Sequence, residues 1–162
     1  MAPSNDLDAA FAHFRTCDPV FHKAAKRVRD RLLPAKPVRG ADRLFASLAE
    51  SVVSQQLSVK ASDTIWKRLE TTCGGKVTPT AIRKARMPSL RAAGLSAAKA
   101  KTLKELAKAV LGGLDLPSLK KKTPEEASAS LTSVWGIGPW TAEMFLMFGL
   151  GHPDTFSARD LG

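Results

Sequence analysis

Three short stretches of this chain hold side chains whose types and spacing suit chemistry. The first is Gly136-Ile137-Gly138, running on through Pro139-Trp140-Thr141-Ala142. Two glycines around one apolar residue allow positive φ on both sides while the middle side chain turns into the core. The helix that follows begins with unpaired N–H groups at its positive dipole end, which suits a backbone phosphate. A plain turn between two helices accounts for a lone GxG equally well. The second stretch is Ser54-Gln55-Gln56-Leu57. Taken alone, its amides bond local backbone. The third is Asp160, near the end of the sequence. By itself, a lone Asp in such a setting most simply caps a helix.

Charge points to an acidic partner. Over 162 residues, 25 Lys and Arg oppose 15 Asp and Glu, a net charge of +10. From 71 to 104 there are eight basic residues and no acidic one: Lys76, Arg83, Lys84, Arg86, Arg91, Lys99, Lys101 and Lys104. Such a run is either a solvated helical face or a surface that tracks phosphates. Lys120-Lys121-Lys122 reads as a solubilising loop. A ribosome-type basic protein also fits the charge, but leaves Ser54-Gln55-Gln56 and Asp160 unexplained.

Other chemistries lack their residues. Cys17 and Cys73 are too few for a four-cysteine iron–sulfur or zinc site, and read as reduced, partly buried thiols. His13, His22 and His152 are far apart and form no metal-ligand pattern, with His152 read as a loop residue. No apolar run reaches the ~18 residues of a membrane span, and no signal core is visible. The expected setting is intracellular.

The elements that must position these residues read as helices throughout. Asp18-Pro19 starts a helix through Leu33, which Pro34 and Pro37 end as a linker. Asp42 is expected to cap the next, whose apolar stripe is Leu44, Phe45, Leu48, Ala49, Val52 and Val53. Ser58 caps a helix stopped by Gly74-Gly75, and Thr78-Pro79 and Met87-Pro88 start two short ones. Ser96 opens a helix with Leu103, Leu106, Val110 and Leu111 on one face. Thr123-Pro124-Glu125-Glu126 is a capping box, and residues 140–150 form one apolar helix. Phe45 and Phe148 read as core, as do Trp66 and Trp135. The fold class is all-α, a multi-helix bundle.

Taken together the motifs carry a resemblance. Val134-Trp135-Gly136-Ile137-Gly138-Pro139-Trp140-Thr141-Ala142-Glu143 resembles the helix-hairpin-helix of the base-excision DNA glycosylase superfamily. Residues 51–61, Ser-Val-Val-Ser-Gln-Gln-Leu-Ser-Val-Lys-Ala, resemble its DNA-facing loop. Gly94-Leu95-Ser96 with Lys99, and Gly149-Leu150-Gly151-His152-Pro153-Asp154 leading to Asp160, match its alkylpurine (3-methyladenine) branch. The matches run in family order from about residue 42. Residues 1–41 are then expected as helices packing on a 42–162 glycosylase core.

The resemblance implies roles. Gln56, with Gln55 and Leu57 beside it, would plug the stack left when a damaged base is rotated out of double-stranded DNA. Asp160 would be catalytic, its anion stabilising the oxocarbenium-like sugar. Arg159 stands where related sequences often have an acid, and its charge favours the ionised carboxylate. Trp140 stands where lyase-type relatives carry a lysine nucleophile, which implies a monofunctional hydrolase; its ring would line the base pocket. Gly136, Ile137, Gly138, Thr141, Ser58, Lys60 and Lys99 would bind the DNA backbone. No cofactor is implied, although such hairpins can hold a monovalent cation on backbone carbonyls. The expected working form is a monomer on DNA carrying alkylated bases, in the cytoplasm or nucleoid of a bacterium or the nucleus of a eukaryote.

Two expectations follow from where the resemblance stops. Family members continue past Asp160 through further helices, and two residues cannot complete a helical turn. The 162 residues alone are therefore expected to be weakly active and less stable. The competing function is a non-catalytic DNA-binding module, which would not need Asp160.

Overall fold

Side-chain caps start most of the helices. Asp18 Oδ1 accepts from the N–H of Phe21 at 2.9 Å, Thr78 Oγ1 from Ala81 at 3.2 Å and Ser96 Oγ from Lys99 at 3.1 Å. Thr123 and Glu126 form the reciprocal box, each bond 3.2 Å. Each such cap satisfies an N–H that the helix leaves unpaired, at a worth of ~1 kcal/mol. The computed structural model of the chain describes residues 4–29, 40–152, 155 and 157. The expected linker at Pro34 and Pro37 lies outside the described residues. Among those described, all regular structure is helical.

The chain forms two units, Met1–Ala35 and Lys36–Gly162. In the first, α1 (Ser4–Cys17) and α2 (Pro19–Val28) make a helical hairpin. Phe14 and Phe21 meet across it with ring centroids 4.6 Å apart. The His22 ring lies edge-on to Phe11 and its Nδ1–H donates to the Phe11 carbonyl at 3.0 Å. Arg29 pairs with Asp8 and lies over the Phe11 ring.

The second unit is built on α3 (Ala41–Ser54), whose expected stripe is buried in full. It packs against α4 (Val59–Thr72), α7 (Ala97–Leu111), α9 (Pro139–Met144) and the segment after α9. Short helices α5 (Pro79–Lys84) and α6 (Met87–Ala92) bridge α4 and α7, and α8 (Pro124–Thr132) leads into the hairpin. Phe45, Leu48, Leu103, Leu106, Leu119, Leu131, Phe145 and Leu146 are fully buried. Each contributes roughly 1.5–3 kcal/mol relative to exposure.

Several expectations need correction. Asp42 does not cap α3: Gly40 holds the cap position with φ 89°, and Asp42 lies in the first turn, still at the positive end. Leu111 is 50% exposed, because the inward face of α7 ends with Leu106, Ala107 and the partly buried Val110. The expected helix over 140–150 is α-helical only to Met144. It then widens into a π-helical turn, Phe145–Gly149, with Leu150 N–H donating to the Phe145 carbonyl at 3.0 Å. Phe148 faces outward from this turn, 61% exposed, instead of joining the core. His152 follows a bend yet is buried, its Nε2–H donating to the Lys122 carbonyl at 3.0 Å.

Candidate nucleic-acid interface

The loop after α3 is held from two directions. Gln55 leaves the helix in an extended conformation, φ −47° and ψ 126°. Gln56 then enters the left-handed region at φ 56°, the one described residue besides glycine to do so. That conformation costs an L-residue roughly 1–2 kcal/mol. Within the loop, Leu57 N–H donates to the Ser54 carbonyl at 3.1 Å. From α7, the Lys99 ammonium donates to the carbonyls of Val53 and Gln55 at 2.7 and 2.6 Å. From α9, the Thr141 hydroxyl oxygen accepts from the Gln55 amide at 2.8 Å. Gln56 itself, Leu57 and Lys60 remain exposed.

The hairpin between α8 and α9 holds itself by local means. Ile137 is buried as expected, and its N–H donates to the Val134 carbonyl at 3.1 Å. Gly136 has φ 85°, and a Cβ there would stand 2.0 Å from Thr102 Oγ1. Only glycine fits, on both counts. Gly138 differs from the symmetric expectation. Its φ is −89°, in the extended region, and a Cβ would meet nothing within 4 Å. Gly136, Gly138, Pro139 and Trp140 lie on the surface.

The first turns of α7 join these two regions. Lys99 reaches the loop and Thr102 touches Gly136. Between them Lys101 places its ammonium 4.1 Å from the centroid of the Trp135 ring. Trp135 is 47% exposed and so is not the core residue expected; its indole is covered by a cation rather than by apolar side chains. Trp66 does pack against the core. Burial lowers the Lys99 pKa below the usual lysine value. Lys104 repeats the device, closing α5 through the carbonyls of Arg83 and Ala85, and burial followed by the nearby Arg83 charge lowers its pKa too. Burial also pushes the Cys73 thiol up, against the pull of Lys104, which makes it a poor thiolate.

The expected DNA-facing residues therefore divide. Gln56, Leu57, Lys60, Gly136, Gly138 and Trp140 are exposed, on the loop, on the hairpin and on the helices that follow them. Gln55, Lys99 and Thr141 are turned to one another within the protein, and the hydroxyl of Ser58 caps α4, accepting from Ala61 N–H at 3.4 Å. Of the acid-free run, Lys76, Arg83, Lys84, Arg86, Arg91 and Lys101 are exposed. Asp160 and Arg159 lie outside the described residues. Ser157, three residues earlier, is buried and donates to Glu143 Oε2 at 2.6 Å. Glu143 is three residues on from Trp140, hence on the same face of α9. Sequence reasoning missed the inward roles of Lys99 and Thr102, and nothing local marks them.

Among the described residues, no three His, Cys, Asp or Glu side chains group as a metal site, and no helix is long and apolar enough to cross a membrane. The comparisons with known proteins agree in direction. DNA-3-methyladenine glycosylase 1 of Schizosaccharomyces pombe is 38% identical over 122 residues, 72% of this chain and 53% of that protein. The chain spans about half the length of the curated relatives it matches. The crystal structure of a DNA-3-methyladenine glycosidase from Bacillus halodurans superposes with a TM-score of 0.72 at 38% identity, over 78% of this chain and 58% of that one. A Schizosaccharomyces pombe 3-methyladenine DNA glycosylase in complex with abasic DNA does so with a TM-score of 0.69 at 34% identity, over 84% and 69%. The family model described as HhH-GPD superfamily base excision DNA repair protein matches residues 49–162, from within α3 through the Gln56 loop and the hairpin. The chain belongs to the HhH-GPD superfamily of base excision DNA repair proteins.

Proposed function

We propose that this chain carries the core of a monofunctional DNA glycosylase that extrudes alkylated purines, such as 3-methyladenine and 7-methylguanine, and hydrolyses their N-glycosidic bond. The observation that carries the reading is the Gln55–Thr141 hydrogen bond. It ties the loop bearing Gln56 to the helix bearing Trp140, which supports reading the two as the plug and the aromatic face of one pocket. Relatives that are themselves named for 3-methyladenine add the substrate class, and the abasic DNA bound to one of them adds the partner.

The chemistry follows from the side chains. Extruding a base costs a few kcal/mol, less when damage weakens pairing. Gln56, held outward in its left-handed conformation, fills the gap and bonds the base left behind. A cationic alkylpurine stacks on the exposed Trp140 indole. Its positive ring makes it a ready leaving group: the C1′–N bond breaks and its electron pair neutralises the base. Asp160 stabilises the cationic sugar. Water adds to C1′, and its proton passes to the carboxylate. An indole cannot form a Schiff base, which leaves hydrolysis as the reaction.

The protein works as a monomer on duplex DNA and needs no redox cofactor. Between Val134 and Trp140 the hairpin offers no charged side chain, only neutral donors. Such a donor set suits a monovalent cation on the carbonyls of residues 134–138, where it would add positive charge facing a phosphate.

The test is release of 3-methyladenine and 7-methylguanine from methylated duplex DNA by the full-length protein. Asp160→Asn is expected to lower the rate by at least ~100-fold. An unchanged rate would remove Asp160 from the mechanism. DNA binding with no base release by the unaltered protein would leave a binding module.

A further inference from the structure

We infer that Lys99 is the positioning residue for Gln56: it acts on DNA through the loop backbone, as a clamp, and not as a phosphate contact. The inference rests on the reading of Gln56 as the plug. A lysine in a basic run beside a DNA-facing loop would ordinarily be assigned to phosphates. The geometry assigns it elsewhere. Two of its three N–H groups go to the carbonyls of Val53 and Gln55. The first belongs to the last turn of α3, where cations complement the helix end. The second belongs to the peptide that joins Gln55 to Gln56. Fixing that carbonyl fixes the plane of the peptide, and so the rotation by which Gln56 enters φ 56°.

The clamp has a second jaw. The Gln55 side chain is held by Thr141 while its carbonyl is held by Lys99, so one residue is pinned to α9 and to α7 at once. Lys99 itself starts from a rigid base. Ser96 caps α7 through the Lys99 N–H, and Thr102, one turn on, packs against Gly136. Loop, α7 and hairpin thereby form one frame. Among the described residues, the side chain of Gln56, the residue in the unfavourable conformation, makes no hydrogen bond, and its direction depends on that frame.

Two measurements on the full-length protein test this. The first is hydrogen exchange without DNA. Lys99→Met should speed exchange about tenfold in peptides covering 53–58 and leave α8 unchanged. The second is binding to a duplex with a tetrahydrofuran abasic analogue against an undamaged duplex, across a salt series. Lys99→Met should lower the preference for the analogue about tenfold with the salt slope kept. A slope reduced by about one, with exchange unchanged, would make Lys99 a phosphate contact and overturn the clamp. Faster exchange throughout the molecule would overturn it as well, as a general loss of stability. Lys99→Arg keeps charge and stem. A phosphate contact would tolerate it fully, whereas the clamp should lose preference, because the larger planar head cannot occupy the Nζ position between two carbonyls. If the unaltered protein shows no preference for the analogue, the extrusion reading fails, and hydrogen exchange still decides the clamp.

Discussion

The Gln56 loop and the 134–138 hairpin reach the same surface by opposite means. The hairpin takes its turn from its own backbone. Its positive φ falls on a glycine, its middle residue is buried, and its backbone bonds are local. The loop puts its positive φ on a glutamine and is held by residues 44 and 86 positions away in sequence. A turn built from glycine is rigid where it stands. A turn forced onto a larger side chain needs distant support, but it presents that side chain outward in one direction. A plug needs that direction, and a backbone platform for phosphate does not.

The largest effect should come from the glycine that has no room. Gly136→Ala places a methyl group into Thr102 and demands a left-handed alanine. It should cost ~3 kcal/mol, combining that conformation with overpacking, or about 6–12 °C in Tm. Gly138→Ala should change stability by no more than ~0.5 kcal/mol, since its φ is ordinary and the space beside it is open. Its effect should appear instead as roughly tenfold weaker DNA binding, where the added methyl meets the approaching backbone. Thermal melts and a binding titration separate the two. Equal losses of stability would break the contrast between a glycine kept for shape and one kept for access.

That contrast also explains what the sequence could and could not reveal. Caps at Ser58, Thr78, Ser96 and Thr123 act within four residues, and all were legible. So was the α3 stripe, which follows a single helical period. The symmetric reading of Gly136-Ile137-Gly138 failed because its pattern does not say which glycine turns the chain. Trp135 and Phe148 read as core on size alone. One is covered by Lys101 from another helix, and the other is turned out by a π-helical turn that no spacing announces. Family resemblance singled out Gln56, Trp140 and the hairpin as a set, and the structure leaves Gln56, Gly136, Gly138 and Trp140 exposed. The tie between Lys99 and Gln55 was not, because a lysine that closes a distant helix looks like any other basic residue.

A middle-sized effect should separate strain from function in the loop. Gln56→Gly removes the cost of the left-handed conformation and gains some unfolded-state entropy, terms of similar size, each ~1 kcal/mol. Tm should stay level or rise by up to about 2 °C, while base release falls at least ~10-fold for want of a plug. A clear fall in Tm would show that the glutamine side chain, and not the frame around it, holds the turn.

The smallest effect concerns charge along α3, one turn before the loop. Burial, then the charges of Asp63 and Glu70 on α4, raise the Glu50 carboxyl above its ordinary pKa of 4.5. The folded state therefore holds this proton to higher pH than the unfolded chain does. The associated stability is fully present below about pH 4.5 and is lost as pH rises through the raised value. Glu50→Gln removes the dependence. It should melt at the same temperature as the parent at pH 4 and about 1–2 °C higher at pH 7, a small gap because the group is partly solvated. The hairpin has no acid from Ser133 to Ala142 and so no counterpart to this pH term. A Gln variant with the parent's pH profile would mean that neither burial nor the charges of Asp63 and Glu70 raise Glu50 in the folded state. The loop would then differ from the hairpin only in its backbone and its clamp.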